Sequence, residues 1–478
     1  MSPPVAGKPR IAVVGGGLAG LSAALECAEH GAAVTLLEGR PRLGGATWSF
    51  ERHGRSFDNG QHVHLRCCAA YRALLDRLGT AELAPFAGPL AIPVLRPAQN
   101  GSPPRTAWVK RDGLPAPFHL ARSLVSYGHL SLTDRLRLLP AALGLRLVRE
   151  DDPELDRSTF SDWLAKRGQS RAAISRLWDL IALPTTNLRS DEVSLALAAK
   201  VFHTGLLTVA DAADIAWSRV PLAELHVEPA RRLLESLGAE VRSKARVSEL
   251  LLGPTRSGEQ QRVTALRIEG SGSLLEADAV VLAVQHGEAA QLLPPGAGIA
   301  RSSLERLGTV PIVNVHFVFD RRVMPHKLAA AVDSDAQFIF DRTPAAKLSP
   351  AERATHQVIS ISLSGADAEI GERPQALIER QLVALRQLFP AARGIEPVDA
   401  VVTREHEATF RGRPGTAELR PPARTAITNL ALAGAWTDTG WPATMEGAVR
   451  SGRAASEVVL SALGRRSRPA PYRQEVTA

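Results

Sequence analysis

Residues Asp58 to Leu65 read "DNGQHVHL", placing a carboxylate, two amides, a glycine and two imidazoles in eight positions of a mostly apolar chain. His62 and His64 stand two apart, so on a strand they would share a face, and two imidazoles on one face raise the question of a metal site. A tetrahedral ion needs a third and a fourth ligand at sensible spacing, and no such set accompanies them. Proton transfer is the other chemistry on offer. His62 leads for it, because an imidazole near its unperturbed pKa suits a proton donor at neutral pH, and Asp58 is the second candidate. Asp58 and Asn59 are also good turn formers, so part of the cluster can serve only to order a loop.

A second set of chemically useful residues precedes this one. Gly15, Gly17 and Gly20 form G-x-G-x-x-G, and Glu38 follows Gly20 by 18 residues. Gly15 permits a tight turn, Gly17 lets the backbone approach a pyrophosphate, and Gly20 lets helix and strand pack closely. The helix N-terminus at Leu18 and Ala19 favours anionic phosphates, and Glu38 is placed to accept hydrogen bonds from a ribose. Beyond the acid stands "EGRPRLGGATWS", in which Arg40, Arg42, Gly44 and Gly45 extend the anion site past one glycine loop.

These groups need a frame. "IAVVGGGLAGLSAALECAEHGAAVTLLEGR" reads as a β-α-β unit, with a helix from Leu18 to His30 closed at Gly31. A helix ending near Leu237, a strand at Val241, and the apolar runs "RVTALRIEG" and "ADAVVLAVQ" belong to the same kind of architecture. Ala87 to Val220 reads as helices and loops inserted into it. Strands are expected at 310–319, 356–363 and 396–403, with a helix at 375–388 between the last two and another from Thr444 to Leu463. The expected fold class is α/β. A Rossmann-like cofactor domain (8–86, 221–300, 396–464) is interleaved with a mixed α+β substrate domain (87–220, 301–395). The basic, proline-containing tail from Arg465 is expected to lack structure.

Composition narrows the function classes. With 478 residues, 45% hydrophobic and 22% charged, the chain can bury more than one core. The formal charge of +8 comes without an aromatic-basic platform or zinc-finger spacing, so nucleic-acid binding is not expected. Three cysteines, two of them adjacent, make no disulfide framework and fit a reducing cytosol. No export signal and no membrane-spanning run is recognised.

Together, "EGRPRLGGATWS" and "FDNGQHV" resemble the flavoprotein group that holds amine oxidases, protoporphyrinogen oxidases and carotenoid desaturases. With "NLALAGAWTDTGWPATMEGAVRSG", residues 429–452, the likeness extends to the squalene-associated FAD-dependent desaturase family, whose members act as hydroxysqualene dehydroxylases in bacterial squalene and hopanoid synthesis. It runs from Ile11 to about Gly452 and is most specific at its two ends. The resemblance implies FAD, with Gly60 and Gln61 along its ring system and Val247 a further contact. It sets Gly434, Ala435 and Trp436 near the ribityl and diphosphate, and Pro442, Ala443, Thr444 and Met445 at the pyrimidine end. Two departures accompany it. Ala435 stands where the group carries an acid, a gap Asp438 is a candidate to fill, and Ala46 stands where it carries an arginine.

The implied reaction removes the allylic hydroxyl of hydroxysqualene and replaces it with a hydride. It needs an acid, an external electron donor and shelter for a cation, for which Trp48, Trp436 and Trp441 are candidate faces alongside an ordinary packing role. A carotenoid-type desaturase with reversed hydride flow, and a flavin-binding scaffold beside prenyl-transferring enzymes, stay open. A long-chain isoprenoid substrate implies cytoplasmic placement at the inner face of the bacterial membrane. Phe118 to Arg149, rich in leucine and arginine, fits either a membrane interface or an amphipathic core helix.

Overall fold

The computed structural model describes residues 7–98, 102–150, 152–253, 261–270 and 272–465. The tail from residue 466 onward lies outside the described residues.

Arg10–Val14 is the middle strand of a five-stranded parallel sheet. In spatial order the strands are Leu430–Leu432, Ala279–Leu282, Arg10–Val14, Ala33–Glu38 and Glu240–Ser243. Both faces are covered, which is why the central strands read as nearly unbroken apolar runs. Ile11 and Val13 pack towards helices Leu18–Glu29 and Met445–Ala462. Ala12 and Val14 face a three-stranded antiparallel sheet of Val247–Leu252, Val263–Ile268 and Leu274–Glu276. The two helices approach so closely that a Cβ at Gly452 would lie 2.1 Å from the Ala19 carbonyl oxygen. That contact carries the end of the chain to the first glycine loop.

A seven-stranded sheet forms the second body. Its order is Asp399–Phe410, Thr309–Phe319, Gln357–Ser364, Phe338–Asp341, Leu328–Ala331, Ala91–Arg96 and Arg105–Lys110. All neighbours are antiparallel except Leu328–Ala331 with Ala91–Arg96. Helix Pro374–Leu388 packs on it. Strand Asp399–Phe410 falls within the 396–464 segment of the sequence reading and pairs here, in the second sheet.

Ala91–Arg96 and Arg105–Lys110 correct the reading of Ala87–Val220 as helices and loops. Pro93 lacks a ladder donor and obscured the first strand. The structure pairs Pro93 only with Trp108, while the parallel partners begin at Val94. The rest of the insertion is largely helical and buries Phe160, Trp178 and Phe202 around a separate core.

Candidate functional site

The two glycine turns meet backbone to backbone. Gly15 has φ +108°, and a Cβ there would lie 2.3 Å from the Ala283 carbonyl oxygen; a Cβ at Gly20 would lie 1.8 Å from that of Gly15. These two positions therefore fix the turn and the helix packing. Gly44 N–H donates to the Gly16 carbonyl at 2.9 Å, and a Cβ at Gly45 would stand 2.9 Å from Gly17 Cα. Gly17 caps helix Leu18–Glu29 without a side-chain bond, and the first N–H groups of a helix lack intrahelical acceptors. Glu38 braces the loop by accepting from the N–H groups of Gly16 and Arg40, each at 2.8 Å. A carboxylate retains further acceptor capacity beyond these two bonds.

The arginines differ. Arg40 is exposed, whereas Arg42 is half-buried with its guanidinium 3.7 Å from the centre of the Trp48 ring. Its Nη1 is buried and meets no acceptor among the described residues. Burial, then the neighbouring Arg40 charge, pull its pKa down. A half-buried cation with one buried nitrogen lacking an acceptor, beside two bare backbone turns, fits the diphosphate of a dinucleotide. Val247, expected as a further contact, is buried in the apolar core that also holds Leu37, next to the end of the Glu38 strand.

From Gly45 the chain leads directly to the opening cluster. Asn59 donates to the Ala46 carbonyl at 2.7 Å, and its own carbonyl accepts from Thr403 Oγ1 at 2.6 Å and Asn314 Nδ2 at 3.0 Å. A Cβ at Gly60 would strike Asn314 Nδ2 at 2.7 Å, so the second sheet holds this turn against the glycine loops. Gln61 donates to the His62 carbonyl, and its Oε1 is buried without a partner. Gln61, Asp58, His316, Arg342 and Ser360 line a polar cavity. It has room for roughly one water.

Asp58 is buried and fully engaged. Its oxygens accept from Ser49 Oγ at 2.6 Å, Leu222 N–H at 2.9 Å and Arg342 Nη2 at 2.7 Å. That set of donors makes Asp58 an anchor between domains and corrects its candidacy as a proton donor. His62 is half-buried, and its Nδ1 lies 3.0 Å from the Gly60 carbonyl. A carbonyl only accepts, so Nδ1 carries a proton, and Nε2 is the atom that gains or gives one. Burial pushes the His62 pKa down, against the Gly60 carbonyl and the Asp58 charge.

His64 is held apart from the Asp58–Gly60 turn by its packing. Only Val63–Leu65 is strand, His62 precedes it, and His64 packs edge-on against Tyr71 and Phe86. Tyr71 in turn is hydrogen-bonded to His226. No group of three or more metal-ligating side chains occurs among the described residues.

The buried histidines make a stability prediction. Burial lowers His64 and His316 to about 4 and His226 to about 3. Unfolded histidines take up protons from about pH 6.5 downward while these stay neutral, so stability is complete above that pH and falls below it. The loss is roughly 1.4 kcal/mol per pH unit for each group until its folded pKa is reached. Denaturant midpoints should therefore drop clearly between about pH 7.5 and 5; equal midpoints would contradict this assignment.

The third wall comes from the end of the chain. Gly434 has φ +144°, and a Cβ there would strike the Trp436 indole nitrogen at 2.3 Å. Trp436 is buried and donates to the Val284 carbonyl at 2.9 Å. The Ala435, Trp436, Thr437 and Trp441 carbonyls all accept from Arg420, at 3.4, 3.3, 2.5 and 2.9 Å. Burial lowers this arginine to about 10. Beyond Pro442 and Ala443, Thr444 Oγ1 accepts from Gly447 N–H at 3.2 Å and caps the helix that begins at Met445. Asp438 is exposed and accepts from Gly440 N–H at 3.3 Å.

Guanidiniums occupy faces of two candidate tryptophans: Arg42 lies over Trp48, and Arg450 lies 4.8 Å from the centre of the Trp441 ring. Glu446 is buried and accepts from the N–H groups of Ala70 and Tyr71 and from Arg450. Arg342, Arg420 and Asn314 escaped the sequence reading. Nothing local marks them, because each acts on a segment distant in sequence.

Comparison with known proteins agrees with this architecture. The family described as flavin containing amine oxidoreductase matches residues 18–460. Hydroxysqualene dehydroxylase of Rhodopseudomonas palustris is 29% identical, over 94% of this chain and 98% of its own. Zeta-carotene desaturase of Arabidopsis thaliana is 25% identical, over 95% and 86%. The solved cyclohexylamine oxidase of Brevibacterium oxydans shares the fold, with TM-score 0.67, 18% identity, and coverage of 96% of this chain and 100% of that one.

Proposed function

Because the chain belongs to the flavin containing amine oxidoreductase family, and so is an FAD-dependent oxidoreductase of the carotenoid desaturase and hydroxysqualene dehydroxylase group, we propose that it reductively dehydroxylates hydroxysqualene to squalene. The observation that carries the reading is His62, a titratable imidazole at the end of the Asp58–Gly60 turn. A hydrocarbon offers it nothing to protonate; an allylic alcohol does. Relatives named hydroxysqualene dehydroxylase, at 28% and 29% identity, support it.

Reduced FAD, when bound, supplies the hydride. The remaining requirements fall on the chain. Gly17, Gly45 and the Leu18 helix end would hold the diphosphate, with Arg42 balancing its charge and Glu38 at the ribose. Gly434, Ala435 and the helix start at Thr444 and Met445 would close the other end, pinned by Arg420. The Asp58–Arg342 pair fixes the turn that carries His62. Protonated at Nε2, His62 delivers a proton to the hydroxyl, which departs as water. An external electron donor must restore the reduced state, since no second dinucleotide fingerprint is present in the sequence. The substrate partitions into lipid, which supports a peripheral position at the membrane, proposed as the inner face of the bacterial one.

A desaturase reading has one specific observation in its favour. Burial keeps His62 neutral at neutral pH, and the neutral imidazole is the form that accepts a proton. Zeta-carotene desaturases among the relatives point the same way. Anaerobic incubation of reduced holoenzyme with hydroxysqualene, and of oxidised holoenzyme with a carotene precursor, distinguishes the two. Squalene from the first and no product from the second is expected; the reverse pattern selects the desaturase.

A further inference from the structure

Helix Leu132–Arg146 carries two apolar faces. Leu138, Ala141 and Leu145 are buried in the core of the inserted segment. Leu132, Leu136, Leu139, Leu143 and, just past the helix, Leu147 are exposed, from 36% at Leu143 to 82% at Leu147. At about 100° per residue, this second set lies roughly opposite the buried one. It forms a stripe about 22 Å long that no other part of the described chain covers. Val125, 66% exposed, stands beside it, because Arg135 Nη1 donates to the Val125 carbonyl at 3.0 Å.

The charges on the helix and its flanks are mostly positive. Residues 118–149 hold five arginines (122, 135, 137, 146, 149) against one acid, Asp134. By helical spacing Arg135 and Arg146 border one side of the stripe, and Arg137 stands further round the other side. Arg135 and Arg137 donate to backbone carbonyls, at Leu130 and Gly168. An exposed leucine strip edged by cations is complementary to an anionic, apolar surface. A second copy of the same face would bring arginine against arginine. No helix among the described residues is long and apolar enough to cross a membrane.

We propose that the outward face of helix Leu132–Arg146 is a membrane-docking surface, seating its leucines in the headgroup region of an anionic bilayer with the helix lying in the plane. The surface deepens the membrane location proposed above, and it assigns that contact to one side of the molecule. Basic residues supply the long-range attraction and leucines the depth of insertion.

Flotation of the FAD-loaded full chain with vesicles of phosphatidylcholine, alone or with phosphatidylglycerol, tests this at low salt and at about 0.5 M salt, where exposed charges are screened. The wild type should float with the phosphatidylglycerol vesicles and be partly released by salt. Leu136→Ser with Leu143→Ser should lower partitioning by at least roughly tenfold at both salt levels. Arg137→Gln with Arg146→Gln should remove the preference for phosphatidylglycerol. Both variants alter exposed side chains, so bound flavin and turnover of detergent-dispersed substrate should be unchanged. Loss of flotation with intact turnover supports the surface independently of the reaction. Flotation by the leucine variant equal to wild type overturns it. A wild type that does not float overturns it too, and so does a leucine variant whose only change is a smaller mass in lipid-free solution, because a second copy then covers the face.

Discussion

Gly17→Val protein is expected to fold and to purify without bound flavin. A Cβ at Gly17 would meet only Gly45 Cα, at an ordinary 3.6 Å, so the added Cβ clashes with nothing in the apoprotein. Its methyl groups would instead occupy the space between the two glycine turns, where the backbone must approach a diphosphate. Gly15 and Gly20 behave differently, since a Cβ at either runs into backbone; Gly20→Ala should lower stability whether or not flavin is present. Circular dichroism paired with the flavin absorbance of the purified protein separates the cases. A folded Gly17→Val protein with full flavin content would contradict the cradle.

His62→Ala is expected to slow the dehydroxylation step about 10² to 10⁴-fold, the usual range for a lost general acid, while leaving flavin content unchanged. The pH profile separates a proton donor from a merely structural residue. Because burial lowers the His62 pKa below 6.5, only a minor fraction is protonated at neutral pH, and that fraction grows as pH falls. The wild-type rate of the chemical step should therefore rise from about pH 7.5 towards 5.5. In His62→Ala that rise should vanish. If His62 acts instead as a base in a desaturase, the wild-type rate should fall over the same interval. Full activity with an unchanged profile in His62→Ala would remove the residue from the chemistry.

The glycine cradle was legible because its geometry is local. Gly15 to Glu38 spans one β-α-β unit, and the helix expected from Leu18 to His30 occupies Leu18–Glu29. The last helix was equally legible from Thr444, whose side chain caps it. Strand Ala91–Arg96 was hidden by Pro93 and by the proline-rich stretch around it, and its apolar residues make sense only once Leu328–Ala331 is beside them. The metal alternative raised by His62 and His64 lacked a third and a fourth ligand in the sequence, and the packing of His64 against Tyr71 and Phe86 could not be read there. Asp58 could be read as an acid because its partner was invisible. Arg342 lies 284 residues along the chain, and only the packing of the second sheet against the hairpin Ser49–Asp58 brings it there. Arg420 is the same kind of residue: it holds four carbonyls of the 435–441 loop, and no spacing rule in the sequence points to it.

In the proposed reaction a hydride replaces the hydroxyl of an allylic alcohol at a site whose proton comes from the chain. The most direct test mixes holoenzyme whose FAD is reduced in heavy water, so that the exchangeable N5 position carries deuterium, anaerobically with hydroxysqualene in the same heavy-water buffer. Squalene bearing one deuterium at the former carbinol carbon is expected, with oxidised flavin appearing at the same rate. Squalene without label would contradict direct transfer, and no squalene together with flavin reduction by a carotene precursor would contradict the direction of the reaction.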